Sequence, residues 1–269
     1  MTTAADDEST SNVLEAALLD VKNRGGKCFV PYLTGGLGDD WLDIVRAVAA
    51  AGADAIEIGI PFSDPVMDGT TIQKANDLAL EQGATPHSVL SELRSAPDIG
   101  VPLVVMTYAN IAFRMGYKRF AASLKASGVS GCILPDLPLE EVDEWAEASA
   151  AEGVEAVLLA APTASTERLR RISERSRGFV YGVGLAGITG VRDKLAESAK
   201  VVASRLKSVT SKPVLVGVGV GTPEQAGDVS AVSDGVVVGS AMVALMLEGA
   251  GPGGLADSVA KFRAALDQT

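Results

Sequence analysis

The amino-acid sequence predicts a (β/α)8 barrel, a closed parallel sheet of the TIM-barrel type. A phrase in which a glycine is followed by a short turn and an apolar run recurs at residues 51–58, 127–134 and 152–159, with a weaker copy at 233–238. The glycine is typical of a helix end, and the apolar run is typical of a buried strand. Strand and helix patterns alternate through 269 residues, and a barrel of this type usually needs about 250 residues.

Continuous apolar runs between helical patterns indicate strands that are covered on both faces, as in a parallel sheet. Such runs lie near residues 27–32, 55–60, 101–107, 131–135, 154–160, 178–183, 213–217 and 235–239. Apolar residues at helical spacing occur between them, as at Trp41, Ile44 and Val48. The predicted helices cover residues 41–51, 71–82, 86–94, 119–126, 140–152, 166–175, 194–207 and 255–266.

A doubly wound open sheet is the alternative architecture. It is disfavoured because the first strand lacks the G-x-G-x-x-G turn of dinucleotide-binding folds, since Gly35, Gly36 and Gly38 have a different spacing. We therefore expect residues 1–269 to form one barrel domain, in which residues 1–12 are a flexible N-terminal extension.

The composition disfavours several kinds of partner. A formal net charge of −11 argues against nucleic acid and anionic membrane surfaces. No apolar run reaches the roughly 18 residues of a membrane span, and residues 1–11 lack the basic start and apolar stretch of a signal peptide. Cys28 and Cys132 lie in apolar runs, where a free cysteine usually packs as a small hydrophobic residue. We expect a cytoplasmic protein in a reducing compartment.

Residues 56–69 carry the strongest indication of chemistry, because they place two carboxylates on a strand and on the loop after it. Strand alternation directs Glu57 into the barrel, and no strand interior holds a lysine or arginine to neutralise it. Asp68 ends the loop. Two carboxylates in different environments can act as an acid/base pair. Two structural alternatives stay open: an internal ion pair for Glu57, and helix capping for Asp68.

Glycine-rich loops indicate a phosphate site. Residues 217–223 follow the seventh strand and residues 239–241 follow the eighth, and both open onto helices. Backbone N–H groups at such helix N-termini bind phosphate in barrels of this type, and the Ser240 hydroxyl adds a hydrogen bond. A third glycine-rich segment, residues 184–191, follows the strand that carries Tyr181 and has the composition of a mobile lid. Each loop also fits an ordinary tight turn.

Other kinds of chemistry are disfavoured by what the sequence lacks. His87 is the only histidine, and no cluster of histidine and cysteine predicts a transition metal. Lys27 and Lys212 precede strands, at the end of the barrel opposite the catalytic face. No P-loop motif is present. The residues therefore predict acid/base catalysis on a phosphorylated small molecule, without a metal or cofactor.

From residue 27 to residue 266 the chain resembles the alpha subunit of tryptophan synthase. The motifs that carry the resemblance are EIGIPFSDP at 57–65 with DG at 68–69, FVPY at 29–32, YAN at 108–110, PDLP at 135–138, AGITG at 186–190 and GS at 239–240. The resemblance implies a (β/α)8 barrel. It also implies retro-aldol cleavage of indole-3-glycerol phosphate to indole and glyceraldehyde 3-phosphate.

The resemblance further implies roles for individual residues. Glu57 would protonate indole C3 and help to remove the proton of the glycerol hydroxyl. Asp68 would accept the indole N–H and stabilise positive charge on the ring, with Tyr181 near Glu57. The remaining implied contacts are Thr189 as a lid residue that touches Asp68, and Gly190, Gly219, Gly239 and Ser240 at the phosphate.

A partner is implied as well. Members of this family work in an alpha2beta2 complex, in which indole passes through a tunnel to a beta subunit that carries pyridoxal phosphate. The loop from Pro61 through Asp64 to Asp68, and the segment around Asp136, would lie at that interface. Two rivals remain: a non-catalytic subunit that only activates the beta partner, and another phosphate-binding barrel of amino-acid biosynthesis.

Overall fold

The computed structural model describes residues 12–184, 192–217 and 219–269. Its strands form a closed parallel barrel in which each strand pairs with its neighbour in sequence and the last pairs with the first. The strands are β1 Cys28–Thr34, β2 Ile56–Gly59, β3 Leu103–Met106, β4 Val129–Ile133, β5 Glu155–Ala160, β6 Val180–Val183, β7 Val214–Gly217 and β8 Gly235–Val238. This topology confirms the predicted (β/α)8 barrel, and the open-sheet alternative is wrong.

The helices surround the barrel and include more segments than the sequence predicts. They are α1 Val13–Asn23, α2 Trp41–Ala50, α3 Thr70–Glu81, α4 Pro86–Ser95, α5 Ala109–Met115, α6 Tyr117–Ala126, α7 Asp143–Ala151, α8 Thr166–Arg175, α9 Arg192–Lys207, α10 Pro223–Ser230, α11 Ser240–Leu247 and α12 Gly251–Leu266. All predicted helices are present, with ends displaced by a few residues. The additional ones are α1 and α5, together with α10 and α11, which the two glycine-rich loops indicate without giving their bounds. Of these, α5 and α10 are short, and α11 is apolar on most sides, so neither length nor periodicity defines their extent.

Strand alternation separates an inner core from an outer core. The outer cluster packs the strands against the helices and includes Ile56 and Ile58. The inner cluster fills the barrel and includes Val30, Val104 and Val237. Because Ile56 and Ile58 face outwards, Glu57 faces the barrel interior, as the sequence predicts.

Helix α1 closes the N-terminal end of the barrel. Leu14 and Leu18 are fully buried within the inner cluster. A Cβ on Gly131 or Gly178 would come within 2.7 Å and 2.6 Å of the Leu14 side chain, so glycine makes room for it at both positions. Residues 1–11 of the predicted N-terminal extension lie outside the described residues, and Asn12 stands directly before α1.

The carboxylate of Glu155 holds the start of α1. It accepts the N–H of Leu14 at 2.7 Å and that of Glu15 at 3.1 Å, while the side chain of Asn12 makes no capping hydrogen bond. These are two of the N–H groups that a helix N-terminus leaves without an intrahelical partner. Burial raises the pKa of Glu155 to about 7, against the opposing effect of these hydrogen bonds.

The lysines that precede strands have structural contacts. Lys27 Nζ donates to the Ser230 carbonyl at 2.6 Å, and Lys212 Nζ donates to that of Ser173 at 2.9 Å. The N-terminal end of the barrel is therefore occupied by contacts that stabilise the fold.

His87 is exposed at the start of α4. Within the described ranges, no helix has the length and apolar character that crossing a membrane requires.

Replacing Glu155 with Gln should destabilise the chain by about 1–2 kcal/mol at pH 5, because both oxygens of the neutral carboxyl retain acceptor capacity while the amide nitrogen has none for the second N–H group. The folded-state pKa lies above the ordinary value, so the wild-type contribution is largest below about pH 4.5 and declines up to about pH 7. Denaturant unfolding at pH 5 and pH 8 measures both effects. E147Q, at an exposed position on α7, is the control. Equal stability of E155Q and wild type at both pH values would contradict the contact.

Candidate active site

The C-terminal ends of the strands bring three tyrosines and two carboxylates to the mouth of the barrel. Tyr32 on β1 is in register with Glu57 on β2. Tyr181 lies on β6, and Tyr108 follows β3 directly before α5. Asp68 belongs to the loop between β2 and α3. This is the end of the barrel where active sites of the fold occur.

Glu57 is buried without compensation of its charge. The residue is 1% exposed, and its Oε2 atom has no hydrogen-bond partner among the described residues. None of the ion pairs of the described residues includes it, so the ion-pair alternative has no support there. Burial, and secondly the charge of Asp68, raises the pKa of Glu57 to about 8. The side chain therefore carries a proton at neutral pH and can act as an acid.

Asp68 is half-buried and hydrogen-bonded. Asn76 Nδ2 donates to its Oδ2 atom at 3.3 Å. Burial raises the pKa of Asp68 to about 6, and hydrogen bonds from Tyr108 and Asn76 hold it below the value that burial alone would give. The capping alternative is wrong, because Gly69 precedes the first residue of α3 and no side chain caps that helix. At neutral pH Asp68 is ionised while Glu57 is protonated.

Two tyrosine rings lie across glycines at the barrel mouth. A Cβ on Gly59 would overlap the hydroxyl of Tyr32, and one on Gly217 would overlap that of Tyr181. Glycine at these strand ends therefore lets each ring cross the neighbouring strand. Burial raises the pKa of both tyrosines well above the ordinary value, so both hydroxyls stay protonated.

Tyr32 and Tyr108 are site residues to which the sequence reasoning gives no role. For Tyr32 a signal exists, because alternation along β1 places it on the inner face and the register places it beside Glu57. Asn76 on α3 is likewise missed, and helical periodicity alone does not reveal that it faces Asp68.

The two glycine-rich loops after β7 and β8 differ in how their helices begin. Thr222 caps α10 and accepts the N–H of Gln225 at 3.3 Å. By contrast, α11 begins at Ser240 after Gly239, and no side chain caps it. Its first N–H groups can therefore bind an anion. Gly219 has φ +88°, a conformation that favours glycine.

Two of the predicted contacts, Thr189 and Gly190, lie outside the described residues. The described residues contain no group of three or more side chains that could hold a metal ion. The site that can be described thus consists of two carboxylates, three neutral hydroxyls and an uncapped helix N-terminus. This arrangement suits proton transfer on an anionic substrate.

The predicted partner-facing residues lie at the same end of the molecule. Pro61 is buried, and Asp64 and Asp136 are exposed. Asp136 accepts the N–H of Ala109 at 2.8 Å and so holds the start of α5. Two large apolar side chains of the loop before α3 are exposed: Val66 at 79% and Met67 at 56%. We call these two residues the mouth patch.

Comparison with known proteins agrees with the geometry. The family model described as "Tryptophan synthase alpha chain" matches residues 18–264. The tryptophan synthase alpha chain of Synechocystis sp. is 42% identical, over 91% of this chain and 94% of that protein. The tryptophan synthase alpha chain of Gloeobacter violaceus is 44% identical, over 81% of this chain and 80% of that protein.

Solved structures share the fold. The crystal structure of tryptophan synthase subunit alpha from Legionella pneumophila superposes with a TM-score of 0.86 at 31% identity, covering 96% of this chain and 99% of that chain. A chain of tryptophan synthase from M. tuberculosis gives a TM-score of 0.85 at 33% identity, over 94% and 98% of the two chains. The extent of the family match, the identity to these relatives and the common barrel lead to one conclusion: this chain belongs to the tryptophan synthase alpha chain family.

Proposed function

We propose that, in this protein, Glu57 and Asp68 catalyse the reaction of the tryptophan synthase alpha chain. That reaction is the retro-aldol cleavage of indole-3-glycerol phosphate to indole and glyceraldehyde 3-phosphate. The observation that carries the proposal is the buried carboxyl of Glu57, which has no cation beside it among the described residues and faces the mouth of the barrel near Asp68. The alpha chain needs no cofactor for this reaction, and pyridoxal phosphate belongs to the beta subunit.

The two carboxyl groups divide the proton transfers. Glu57 enters the reaction protonated and gives its proton to C3 of the indole ring. Asp68, which is ionised, accepts the ring N–H and stabilises the positive charge that forms on the ring.

The Glu57 carboxylate then removes the proton from the glycerol hydroxyl nearest the ring. As that oxygen becomes the aldehyde, the carbon–carbon bond breaks and its electron pair returns to the ring. Glu57 regains its proton, so no net proton is consumed.

The substrate phosphate binds at the start of α11. The N–H groups that follow Gly239 have no side-chain cap, and the Ser240 hydroxyl stands at the first helical position. Gly219, in the loop after β7, supplies a further backbone contact to the phosphate. A phosphate bound there needs no lysine, because the helix N-terminus supplies donors and partial positive charge. By resemblance, Gly190 adds a phosphate contact and Thr189 closes over the substrate.

The buried tyrosines form the walls of the substrate pocket. Tyr181 lies close enough to Glu57 for the charge of the carboxylate to affect the pKa of its hydroxyl. Tyr32 is in register with Glu57 across the β1–β2 pair. Both rings restrict water at the proton-transfer site, which preserves the raised pKa of Glu57.

A beta subunit binds at the catalytic face. The loop from Pro61 through Asp64 to Asp68, together with Asp136, forms the interface, and the mouth patch supplies its apolar surface. The assembly is an alpha2beta2 complex in the cytoplasm, through which indole passes to the pyridoxal phosphate of the beta subunit. Residues 1–269 act as one barrel domain with residues 1–12 as an extension.

Replacing Glu57 with Gln should lower indole release from indole-3-glycerol phosphate by about a thousandfold, because the amide has nearly the same shape but no proton to exchange. Release is measured for the purified chain alone and with a tryptophan synthase beta subunit. Calorimetric titration should show unchanged binding to the beta subunit, and E147Q should behave as wild type. A wild-type chain that activates the beta subunit but releases no indole would contradict the proposal and indicate a non-catalytic subunit.

The pH dependence of kcat/KM should be bell-shaped. The rate rises as Asp68 ionises, with a midpoint of about 6, and falls as Glu57 loses its proton, with a midpoint of about 8. Replacing Asp68 with Asn removes the acidic limb and lowers the overall rate. It also moves the basic limb to lower pH, because the negative charge that raises the pKa of Glu57 is gone. A basic limb that stays in place or moves upwards in D68N would contradict this pairing.

A further inference from the structure

Tyr108 connects the loop that carries Asp68 to the junction of β3 and α5. Its hydroxyl oxygen accepts the N–H of Met67 at 2.9 Å. Its ring stacks on Phe62, with ring centroids 4.9 Å apart and planes 24° apart. One buried side chain therefore contacts both ends of the loop, next to Pro61 and next to Asp68.

The same hydroxyl lies close enough to the Asp68 carboxylate to lower the pKa of that group. Since its oxygen accepts from Met67, its own proton is free to be donated to Asp68. Burial raises the pKa of Tyr108 far above neutrality, so the hydroxyl remains a donor over the working range. A donor to an ionised acceptor makes one of the stronger hydrogen bonds in proteins.

A second restraint comes from α3, where Gln73 Nε2 donates to the Asp68 carbonyl at 2.8 Å, and this bond holds the backbone and not the carboxylate. The remaining contacts of the loop are local or long. Val66 N–H donates to Asp64 at 2.9 Å and Asp68 N–H donates to Pro65 at 3.0 Å, and both bonds join loop residues to one another. The side chains of Val66 and Met67 are exposed and do not anchor the loop in the core. The Asn76 bond to the carboxylate is long, at 3.3 Å.

Tyr108 is itself held in position from the neighbouring strand. Ala109, the residue after it, donates its N–H to Asp136 Oδ1 at 2.8 Å. Asp136 lies in the segment between β4 and α7. This bond fixes the backbone next to Tyr108, so the hydroxyl of Tyr108 can hold the loop in one orientation.

We infer that Tyr108 is a positioning residue for the reaction: its hydroxyl fixes the Met67 backbone and the Asp68 carboxylate together, so that Asp68 faces the substrate nitrogen in its ionised form. The inference rests on the proposed function, because it assigns Tyr108 a role through Asp68. Among the described residues, the titratable groups whose pKa values respond to Asp68 are Tyr32 on β1, Glu57 on β2, Tyr108 after β3 and Tyr181 on β6.

Replacing Tyr108 with Phe keeps the stack on Phe62 and removes only the hydroxyl. The acidic limb of the kcat/KM profile should move up by about one pH unit, because the ionised form of Asp68 loses the stabilisation that the neighbouring hydroxyl supplies. The rate should fall about tenfold near pH 6 and much less near pH 7.5. Tyr117→Phe, the same change in α6, is the matched control and should leave the profile unchanged.

A carbon-13 NMR titration of the Asp68 carboxyl, assigned with D68N, provides a second readout that does not depend on turnover. In Y108F its midpoint should rise by about one unit. If wild type cleaves the substrate and Y108F shifts neither the acidic limb nor the Asp68 midpoint, the role of Tyr108 is wrong and the proposed function stands. If wild type does not cleave the substrate, the proposed function fails, whatever the NMR titration shows. A rate loss of equal size at every pH would indicate a structural effect and overturn the inference.

Discussion

The burial of the Glu57 carboxyl, with no cation beside it in the part of the chain that the structure describes, is the constraint on which the rest of the site depends. An isolated charge inside a protein is so unfavourable that the group keeps its proton. Burial raises the pKa of Glu57 to about 8, so the carboxyl group can donate a proton at neutral pH. Asp68 lies in the loop after the same strand, where hydrogen bonding favours its ionised form. The difference between the two environments assigns their roles.

The two ends of the barrel treat their carboxylates differently. At the N-terminal end Glu155 accepts two backbone N–H groups, and Asp234 contacts two lysines and the backbone. Asp54 pairs with Arg263 at 3.0 Å. Each of these groups fixes one element to another. At the C-terminal end Glu57 has no such partner among the described residues, and its unfavourable burial is maintained by the fold that the opposite end stabilises.

Much of this architecture follows from the sequence, because the repeated phrase and the period-2 alternation are local signals. They predict the strand order and the inward direction of Glu57. Helix α1 is not predicted, since the insertion of Leu14 into the barrel floor is a tertiary contact with glycines far away in sequence. Alternation also cannot distinguish Asp68 as a free carboxylate from Asp68 as a helix cap. That distinction depends on Asn76 and Tyr108, which reach the loop from other elements.

The most direct test is a carbon-13 NMR titration of the Glu57 carboxyl in the free chain, labelled at the glutamate side-chain carboxyl carbon and assigned by comparison with E57Q. We expect a midpoint of about 8, far from those of the exposed glutamates. A midpoint in the ordinary range for glutamate, about 4.3, would show that the carboxyl is solvated or paired with a cation and would contradict the role of Glu57 as the proton donor.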